Sequence, residues 1–327
     1  MTGPLTDRTT GHQHAEVRVS APAKINLSLA VGPVREDGYH PLATVYQAIG
    51  LYDEVVVRPA DRLTMTVDGS GVDVTDVPVE DNLALQAVRL LAEHHGLDPN
   101  ADVTVALHLH KRIPVAGGLA GGSTDAAAAL VGVDALLGLQ TPRHALLEIA
   151  ARLGSDVPFC LLGGVALGSG RGELVTPVMT SGEYWWVVVP DRQGLSTPTV
   201  YAELDRLAAA GRTSLPAEPE IDDELLAALR AGDPRRLGAA LSNDLEAAAL
   251  SLRPELAERL RVGREAGALG ALVSGSGPTT LFLCEGPEHA GEVDAYLQQE
   301  CGTVPGLVVT GPVHGARVSG SHGTGGW

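Results

Sequence analysis

The stretch PVAGGLAGGSTDAAAAL, from Pro114 to Leu130, places four glycines directly before a run of small, helix-forming residues. DVTVALHLHKRIP, which precedes it, alternates apolar and polar residues and predicts a strand with one solvated face. We therefore expect a strand, a glycine loop and a helix that runs through Leu139. Because the first turn of a helix has unpaired N–H groups and a positive dipole end, and glycine lets the backbone come close, this arrangement predicts a phosphate-binding loop. The alternative is a tight turn whose glycines serve packing alone.

Two common nucleotide motifs do not fit this loop. No Gly-Lys-Ser/Thr follows the glycines, which excludes a Walker A loop, and no G-x-G-x-x-G with a downstream acid is present, which excludes a Rossmann fingerprint. Lys111 and Arg112 end the preceding strand and could supply local positive charge. Lys111 and Lys24 are the only two lysines of the chain. A position that stays lysine among arginines can require a compact ammonium.

The composition excludes several classes of protein. The 327 residues are 44% hydrophobic and carry a net charge of −17, which argues against binding to nucleic acid or an anionic membrane. No apolar run reaches the roughly 18 to 20 residues of a membrane span, and the N-terminal residues lack the apolar segment of a signal peptide. Three cysteines, an odd number, do not form a disulfide framework. We expect a cytoplasmic protein that is a monomer or a weak homodimer.

Outside the loop, strands and helices mix without strict alternation, which predicts an α+β fold in two halves with a boundary near residues 170–190. EVRVSAPAKINLSLAV predicts a strand, a turn and a strand, with Lys24 and Asn26 in the turn. DEVVVRP and LTMTVDG show the alternation of a meander. Residues 1–15 and 315–327 are polar or glycine-rich and predict loose tails.

Further elements follow from local patterns. EDNLALQAVRLLAEHHG predicts a helix capped by Asp81 or Asn82. ALVSGSGPTTLFLCEG predicts a strand, a glycine loop and a strand, HAGEVDAYLQQEC a helix, and PGLVVTGPV a last strand. His108 and His110 share one face of their strand like a metal pair, but no acidic or cysteine partner of matching spacing stands out. We expect them to be solvated polar residues.

The glycine stretch resembles the central P-x-x-x-G-L-x-G-G-S-S motif of the GHMP kinases, a family that includes galactokinase, homoserine kinase and mevalonate kinase. In that family the loop wraps the phosphates of ATP, with Mg²⁺ bridging them. SAPAKINLSLAV, GSDVPF and VSGSGPTTLFL resemble further motifs of the family and occur in its order. The resemblance implies an N-terminal domain with a mixed β-sheet and helices over residues 16–180. It also implies a ferredoxin-like α+β C-terminal domain over residues 181–314.

The resemblance also implies a substrate. The Lys-Ile-Asn-Leu form and REDGYHPL, from Arg35 to Leu42, are most similar to the branch of the family that phosphorylates the 2-hydroxyl of 4-diphosphocytidyl-2-C-methyl-D-erythritol, in the non-mevalonate isoprenoid pathway. Aromatic rings and an imidazole would hold the cytosine. The residues expected at the substrate are Asn26, Tyr39, His40, Thr197, Tyr201, Gly275 and Ser276.

Catalytic and ATP-binding residues are carried over in the same way. Asp156 would accept the hydroxyl proton and Lys24 would steady it, although an aspartate before a helix is ordinarily a cap. Asn82 would meet the adenine side of ATP and can also cap its helix. The residues expected at ATP are Asn82, Lys111, Pro114, Val115, Ala116, Gly117, Gly118, Leu119, Ala120, Gly121, Gly122, Ser123 and Thr124. No protein residue is assigned as a metal ligand.

The loop departs from the family pattern at Ala116 and Ala120, where glycines are frequent, and at Thr124-Asp125, where Ser-Asn is common. We expect alanine to fit an ordinary backbone conformation at both positions. Another GHMP kinase, such as homoserine or mevalonate kinase, would share the loop but not Gly-Tyr-His. A non-catalytic nucleotide-binding regulator on the same fold is the rival from another class, and the presence of both Lys24 and Asp156 speaks against it.

Overall fold

The structure, a computed structural model, describes residues 16–115, 117–191 and 193–319. Its strands are β1 (Val17–Val31), β2 (Leu42–Pro59), β3 (Thr64–Gly69), β4 (Val105–Lys111), β5 (Val165–Ser169), β6 (Leu174–Pro177), β7 (Tyr184–Val189), β8 (Ser242–Asn243), β9 (Gly270–Val273), β10 (Thr280–Cys284), β11 (Leu307–Gly311) and β12 (Arg317–Val318). Its helices are α1 (Leu83–His94), α2 (Gly121–Leu137), α3 (Arg143–Leu153), α4 (Val157–Leu162), α5 (Thr197–Ala209), α6 (Asp223–Ala231), α7 (Pro234–Ala240), α8 (Glu246–Leu252), α9 (Glu255–Glu265) and α10 (Pro287–Cys301).

The first sheet has the order β12-β1-β2-β4-β3, with β5 and β8 pairing to β2 and β1 and with β6 pairing to β5. The predicted meander is wrong, because β3 pairs in parallel with β4 and not with β2. Parallel neighbours need a crossover connection, and α1 supplies it between β3 and β4. Helices α1 and α2 pack their apolar sides on this sheet and form its main core.

Strand β1 is continuous, so the turn predicted at Lys24 and Asn26 is wrong. The chain instead shifts register against β2 between Pro22 and Ala23 and again between Asn26 and Ser28. Proline has no N–H to donate to the ladder, and such irregularities re-aim side chains without ending a strand. Lys24 and Asn26 therefore project from the middle of a strand.

The second sheet has the order β11-β7-β10-β9 with every neighbour antiparallel. Helices separate β7 from β9, and α10 separates β10 from β11, which is the ferredoxin-like arrangement. Helices α9 and α10 cover one face of this sheet. The other face packs on apolar residues of β1 and β2, such as Ile25 and Ile49. The expected α+β fold with a ferredoxin-like second half is confirmed.

The chain end differs from the predicted tail. Residues 317–318 form β12 and pair with β1, so β11 is not the last strand, and Ala316 is buried in the core. A Cβ on Gly315 would lie 2.3 Å from the Leu161 carbonyl oxygen, so the glycine serves close packing. Glycine-rich composition therefore misled the prediction for residues 315–319. The predicted tail residues 1–15 and 320–327 lie outside the described residues.

Two further expectations concern the cysteines and membrane-spanning segments. Cys160, Cys284 and Cys301 are all free, as expected. Within the described part of the chain, none of the helices has both the length and the apolar character that crossing a membrane would require.

Candidate active site

A cavity of about 870 Å³ opens where α2 begins, beside β1 and the loop between β9 and β10. Nearly all site residues expected from the sequence line it, although they come from segments far apart in the chain. The exceptions are Leu119, Thr124 and Ala116. Leu119 is buried in the core, and the hydroxyl of Thr124 donates to the Pro22 carbonyl in the interior, so neither side chain faces the cavity. Contacts of these two residues with ATP stay predictions. Ala116 lies outside the described residues.

The glycine loop packs against the loop after β9. Gly118 has φ +77°, and a Cβ there would lie 2.4 Å from the Ser274 carbonyl oxygen. The Ser274 hydroxyl donates to the Gly118 carbonyl at 3.3 Å. Only glycine combines this left-handed conformation with such close backbone contact. The packing brings the first turn of α2, with its unpaired N–H groups, to the cavity wall.

Ala120 adopts a left-handed conformation, with φ 62° and ψ 29°, at the N-cap position of α2. The expectation of an ordinary backbone at this alanine is wrong. A left-handed conformation costs an L-residue roughly 1–2 kcal/mol because Cβ approaches the backbone. The preceding residue ties the loop down, since the Lys24 N–H donates to the Leu119 carbonyl at 3.2 Å.

Lys111 lies beneath the loop in a buried charge cluster. Its Nζ donates to Asp53, to Asp125 Oδ2 at 2.6 Å and to the Gly121 carbonyl at 3.1 Å. Burial acts to lower the pKa of Lys111, but the charges of Asp125 and Asp53 outweigh it and raise that pKa. Because its three N–H groups are engaged, the ammonium supports α2 from below, and a direct contact with phosphate is not supported.

Lys24 and Asp156 meet at the cavity wall. The Lys24 Nζ lies 3.5 Å from Asp156 Oδ2, and it donates to Asn26 Oδ1 at 2.9 Å. The Asn26 amide donates to Thr44 Oγ1 at 2.8 Å, which holds the lysine partner in place. Asp156 precedes α4, but its side chain caps no N–H of that helix. The carboxylate is therefore available to the cavity, where it is 29% exposed against 7% for the lysine.

Tyr46 is a site residue that the sequence reasoning missed. It faces Asn26 across the β1–β2 pair, and its ring centroid lies 5.5 Å from Lys24 Nζ. Burial raises the pKa of Tyr46 well above its ordinary value, and the charge of Asp156 and a hydrogen bond with it act in the same direction. The phenol stays protonated and can donate to Asp156. Tyr46 follows the REDGYHPL segment by four residues, but only the strand register places it here.

The far end of the cavity is aromatic. His40 is buried, and its ring centroid lies 4.9 Å from that of Tyr201. His40 Nδ1 lies 2.7 Å from the Gly32 carbonyl, so Nδ1 carries the proton, and Nε2 faces Asp205 at 3.5 Å. Tyr39 is half exposed, and the Arg171 guanidinium lies 4.9 Å from its ring centroid. Arg171 and Asp205 were also missed, because neither lies in a motif position that the sequence singled out.

Three further expected residues lie at the same cavity. The Thr197 hydroxyl is 2.9 Å from the Ser276 hydroxyl, so the start of α5 contacts the loop after β9. Asn82 accepts from the Ala84 N–H at 2.9 Å and caps α1, as predicted. Its amide also donates to the Pro78 carbonyl, and the residue lines the cavity.

Comparisons with known proteins agree with this geometry. Residues 82–164 match the GHMP kinases N terminal domain, and residues 225–303 match the GHMP kinases C terminal family. A relative in Thermobifida fusca, named 4-diphosphocytidyl-2-C-methyl-D-erythritol kinase, is 55% identical over 309 residues, which are 92% of this chain and 98% of that protein. A relative of the same name in Nocardioides sp. is 53% identical and covers 91% of this chain and 98% of its own.

The chain belongs to the GHMP kinase family.

Solved structures of GHMP kinases share the architecture. A crystal structure of 4-(cytidine 5'-diphospho)-2C-methyl-D-erythritol kinase has a TM-score of 0.71 at 34% identity, over 90% of this chain and 98% of that one. The homoserine kinase of Cytophaga hutchinsonii has the same TM-score at 20% identity, over 95% of this chain and 100% of that one. At 20% identity the likeness shows the fold alone. The N-terminal match contains both the glycine loop and Asp156, and the C-terminal match contains Gly275 and Ser276.

Proposed function

We propose that this GHMP kinase is an ATP-dependent phosphotransferase that phosphorylates the 2-hydroxyl of 4-diphosphocytidyl-2-C-methyl-D-erythritol, giving the 2-phosphate and ADP. Its place is the non-mevalonate, methylerythritol phosphate route to isoprenoid precursors. The single observation that carries the proposal is the Asp156 carboxylate, 3.5 Å from the Lys24 ammonium, in the cavity into which the first turn of α2 opens. Relatives of more than 50% identity that carry this enzyme's name support the substrate.

The chain's own groups account for phosphoryl transfer by alignment and charge. The first-turn N–H groups of α2 bind the terminal phosphates of ATP, the nucleotide of the family's reaction. Lys24 lies between Asn26 and Asp156 and offers its charge to the transferring phosphoryl group. Asp156 accepts the proton of the attacking hydroxyl or orients that hydroxyl if transfer is late. Tyr46 donates to Asp156 and fixes the direction of the carboxylate.

Mg²⁺ fits the oxygen donors at this end of the cavity. The Asp156 carboxylate and the Ser123 hydroxyl both line it, and hard cations prefer such oxygen ligands together with phosphate oxygens. When bound, Mg²⁺ neutralises charge on the phosphates. Two of the cations that line the cavity, Lys24 and Lys111, are already paired with carboxylates.

The aromatic end of the cavity suits a cytosine. The Gly32 carbonyl holds the His40 proton on Nδ1, so Nε2 can accept a hydrogen bond from the exocyclic amine of the base. Tyr201 and Tyr39 offer ring faces on which a base can stack. Arg171, beside the Tyr39 ring, is the cation best placed to meet the diphosphate of the substrate.

We also propose the domain division at residue 180, with units 16–180 and 181–314. Support comes from the sheets, because β1 to β6 all pair in the first sheet and β7 opens the second. Strand β8 of the C-terminal unit pairs with β1 of the first sheet, as does β12, which lies beyond residue 314. A cytoplasmic location and a monomeric or weakly dimeric state remain predictions.

The experiment is an ADP-release assay with a panel of alcohols, namely 4-diphosphocytidyl-2-C-methyl-D-erythritol, homoserine and mevalonate, on the wild-type protein and Asp156→Asn. We expect turnover with the cytidine substrate alone. Asp156→Asn should cut kcat by at least about a hundredfold and leave ATP binding nearly intact. Asp76→Asn, a carboxylate of the same cavity without a lysine partner, is the matched control and should retain turnover. Turnover of homoserine or mevalonate instead, or full activity in Asp156→Asn, would contradict the proposal.

A further inference from the structure

A second cluster of titratable side chains lies away from the active-site cavity, on the exposed face of the first sheet. It consists of Asp68 on β3 and of His108 and His110 on β4. The expectation that the two histidines lack a matching acidic partner is wrong. Parallel pairing of β3 with β4 sets Asp68 opposite His110 and Thr66 opposite His108, a register that sequence spacing does not reveal.

The three side chains converge on one point. His110 Nδ1 lies 2.7 Å from Asp68 Oδ1, and His108 Nε2 lies 3.2 Å from Asp68 Oδ2. The ligand atoms of all three residues lie within 4.8 Å of one another. Two imidazole nitrogens and a carboxylate oxygen therefore face a common position, with solvent on the open side.

A further residue orients the cluster. The Thr66 hydroxyl lies 2.6 Å from His108 Nδ1, the ring nitrogen that points away from Asp68. Ligating histidines in metal sites have such a partner on the other ring nitrogen, where it fixes the ring and its tautomer. When His108 Nε2 serves as a ligand, the ring proton resides on Nδ1, which then donates a hydrogen bond to the Thr66 hydroxyl.

The surrounding charges do not oppose a cation. His108 and His110 line a shallow cavity of about 530 Å³ together with Arg18 and Arg58, and both arginines are paired. Glu16 accepts from Arg18 and from Arg58, and Glu54 accepts from Arg18 at 3.0 Å. The positive charge of each guanidinium is thus balanced locally, whereas Asp68 carries the negative charge of the cluster.

We propose that Asp68, His108 and His110 form a surface site for a divalent transition metal ion of the Zn²⁺ class, independent of the nucleotide chemistry. Imidazole with one carboxylate suits Zn²⁺, Cu²⁺ and Ni²⁺, whereas Mg²⁺ prefers oxygen ligands. Three protein ligands leave outer positions for water. The bound ion joins β3, an edge strand of the sheet, to β4, and therefore stabilises that edge.

The test is a titration of the full chain with Zn²⁺, in which calorimetry measures the affinity and the ¹⁵N chemical shifts of the histidine rings report which residues bind the ion. We expect one site at which the ring nitrogens of His108 and His110 shift. His108→Ala, His110→Ala and Asp68→Asn should each weaken binding at least about tenfold, and Thr66→Val should weaken it about tenfold through the ring orientation. Mg²⁺ should give no such shifts.

A second histidine pair in the chain supplies the matched control. His12 and His14 have the same spacing in the N-terminal residues. His12→Ala/His14→Ala should leave the His108 and His110 shifts and their affinity unchanged. An absence of Zn²⁺-induced shifts at His108 and His110, or an affinity that follows His12 and His14 alone, would overturn the proposal. His108 and His110 are half-buried and Thr66 and Asp68 are exposed. A far-ultraviolet spectrum that matches wild type shows that each variant is folded.

Discussion

Replacing Lys111 with methionine tests whether the buried ammonium holds the start of α2 in place. The lysine side chain is 3% exposed, and its partners Asp53 and Asp125 are 0% and 2% exposed. Methionine keeps most of the length and removes the charge, so two buried carboxylates lose their shared cation. Removing one partner of a buried ion network costs about 3–5 kcal/mol. The Gly121 carbonyl also loses its donor, which adds about 1 kcal/mol.

Protonation limits this loss. Burial raises the pKa of Asp125 to about 7, against the opposing charge of Lys111. Without the lysine that pKa rises further, so Asp125 takes up a proton at neutral pH and the repulsion with Asp53 is relieved. We therefore expect Lys111→Met to lower the free energy of unfolding by about 3–5 kcal/mol at pH 8, and by less at pH 6.

The assay is urea unfolding, monitored by tryptophan fluorescence, and Arg112→Met is the control. Arg112 is the exposed neighbour of Lys111, so its substitution should change stability by less than about 0.5 kcal/mol. In the double variant Lys111→Met/Asp125→Asn one buried charge is gone, and it should be more stable than Lys111→Met alone. A loss below about 1 kcal/mol in Lys111→Met, or additive losses in the double variant, would refute the reasoning.

Three further predictions concern the same cavity. Ala120→Gly should raise the free energy of unfolding by about 0.5–1 kcal/mol, because relief of the left-handed strain exceeds the entropy that glycine adds to the unfolded chain. The control is Ala126→Gly, inside α2, which should lower the free energy of unfolding by about 1 kcal/mol or more in the same denaturation assay. The wild-type protein should lose stability relative to Asp125→Asn as pH rises from about 4 to about 7. The folded-state pKa of Asp125, about 7, lies above its ordinary value of 3.8, so over this range the folded state must give up a proton that it holds more tightly than the unfolded chain does. Equal pH profiles of the two proteins would contradict this. Arg171→Ala should raise KM for the cytidine substrate about tenfold with little change in kcat or in KM for ATP, in steady-state kinetics, since the guanidinium lines the cavity beside Tyr39; equal effects on both substrates would place it elsewhere.

Much of the candidate site was predictable because its signals are local. Gly118 and its neighbours lie in one continuous stretch, and a glycine loop before a helix predicts an anion site from backbone chemistry alone. Strand β4, which leads into the loop, follows from its alternation of apolar and polar residues, and helix α1 follows from its helical periodicity. Asp156 was found only through its motif, since its position before a helix equally predicts a cap.

Other features depended on contacts between distant segments. The continuous β1 replaced a predicted turn because β2 holds it through two register shifts. Tyr46 reached the site through that register, and Lys111 met Asp53 from 58 residues away. The backbone conformation of Ala120 was misjudged because the packing of the loop, and not alanine's own preference, sets its φ.

The sequence by itself thus determined which chemistry is present: a glycine cradle for phosphate, a lysine and an aspartate in family motifs, and alternating patterns that define an α+β chain. Tertiary structure alone decided which side chains meet: Tyr46 with Asp156, Lys111 with two carboxylates, and Asp68 with two histidines. The physical reason is range. Backbone geometry, helix dipoles and hydrophobic periodicity act over a few residues, whereas strand register and burial arise only when segments pack together, and these set both the partners and the charge state of each group.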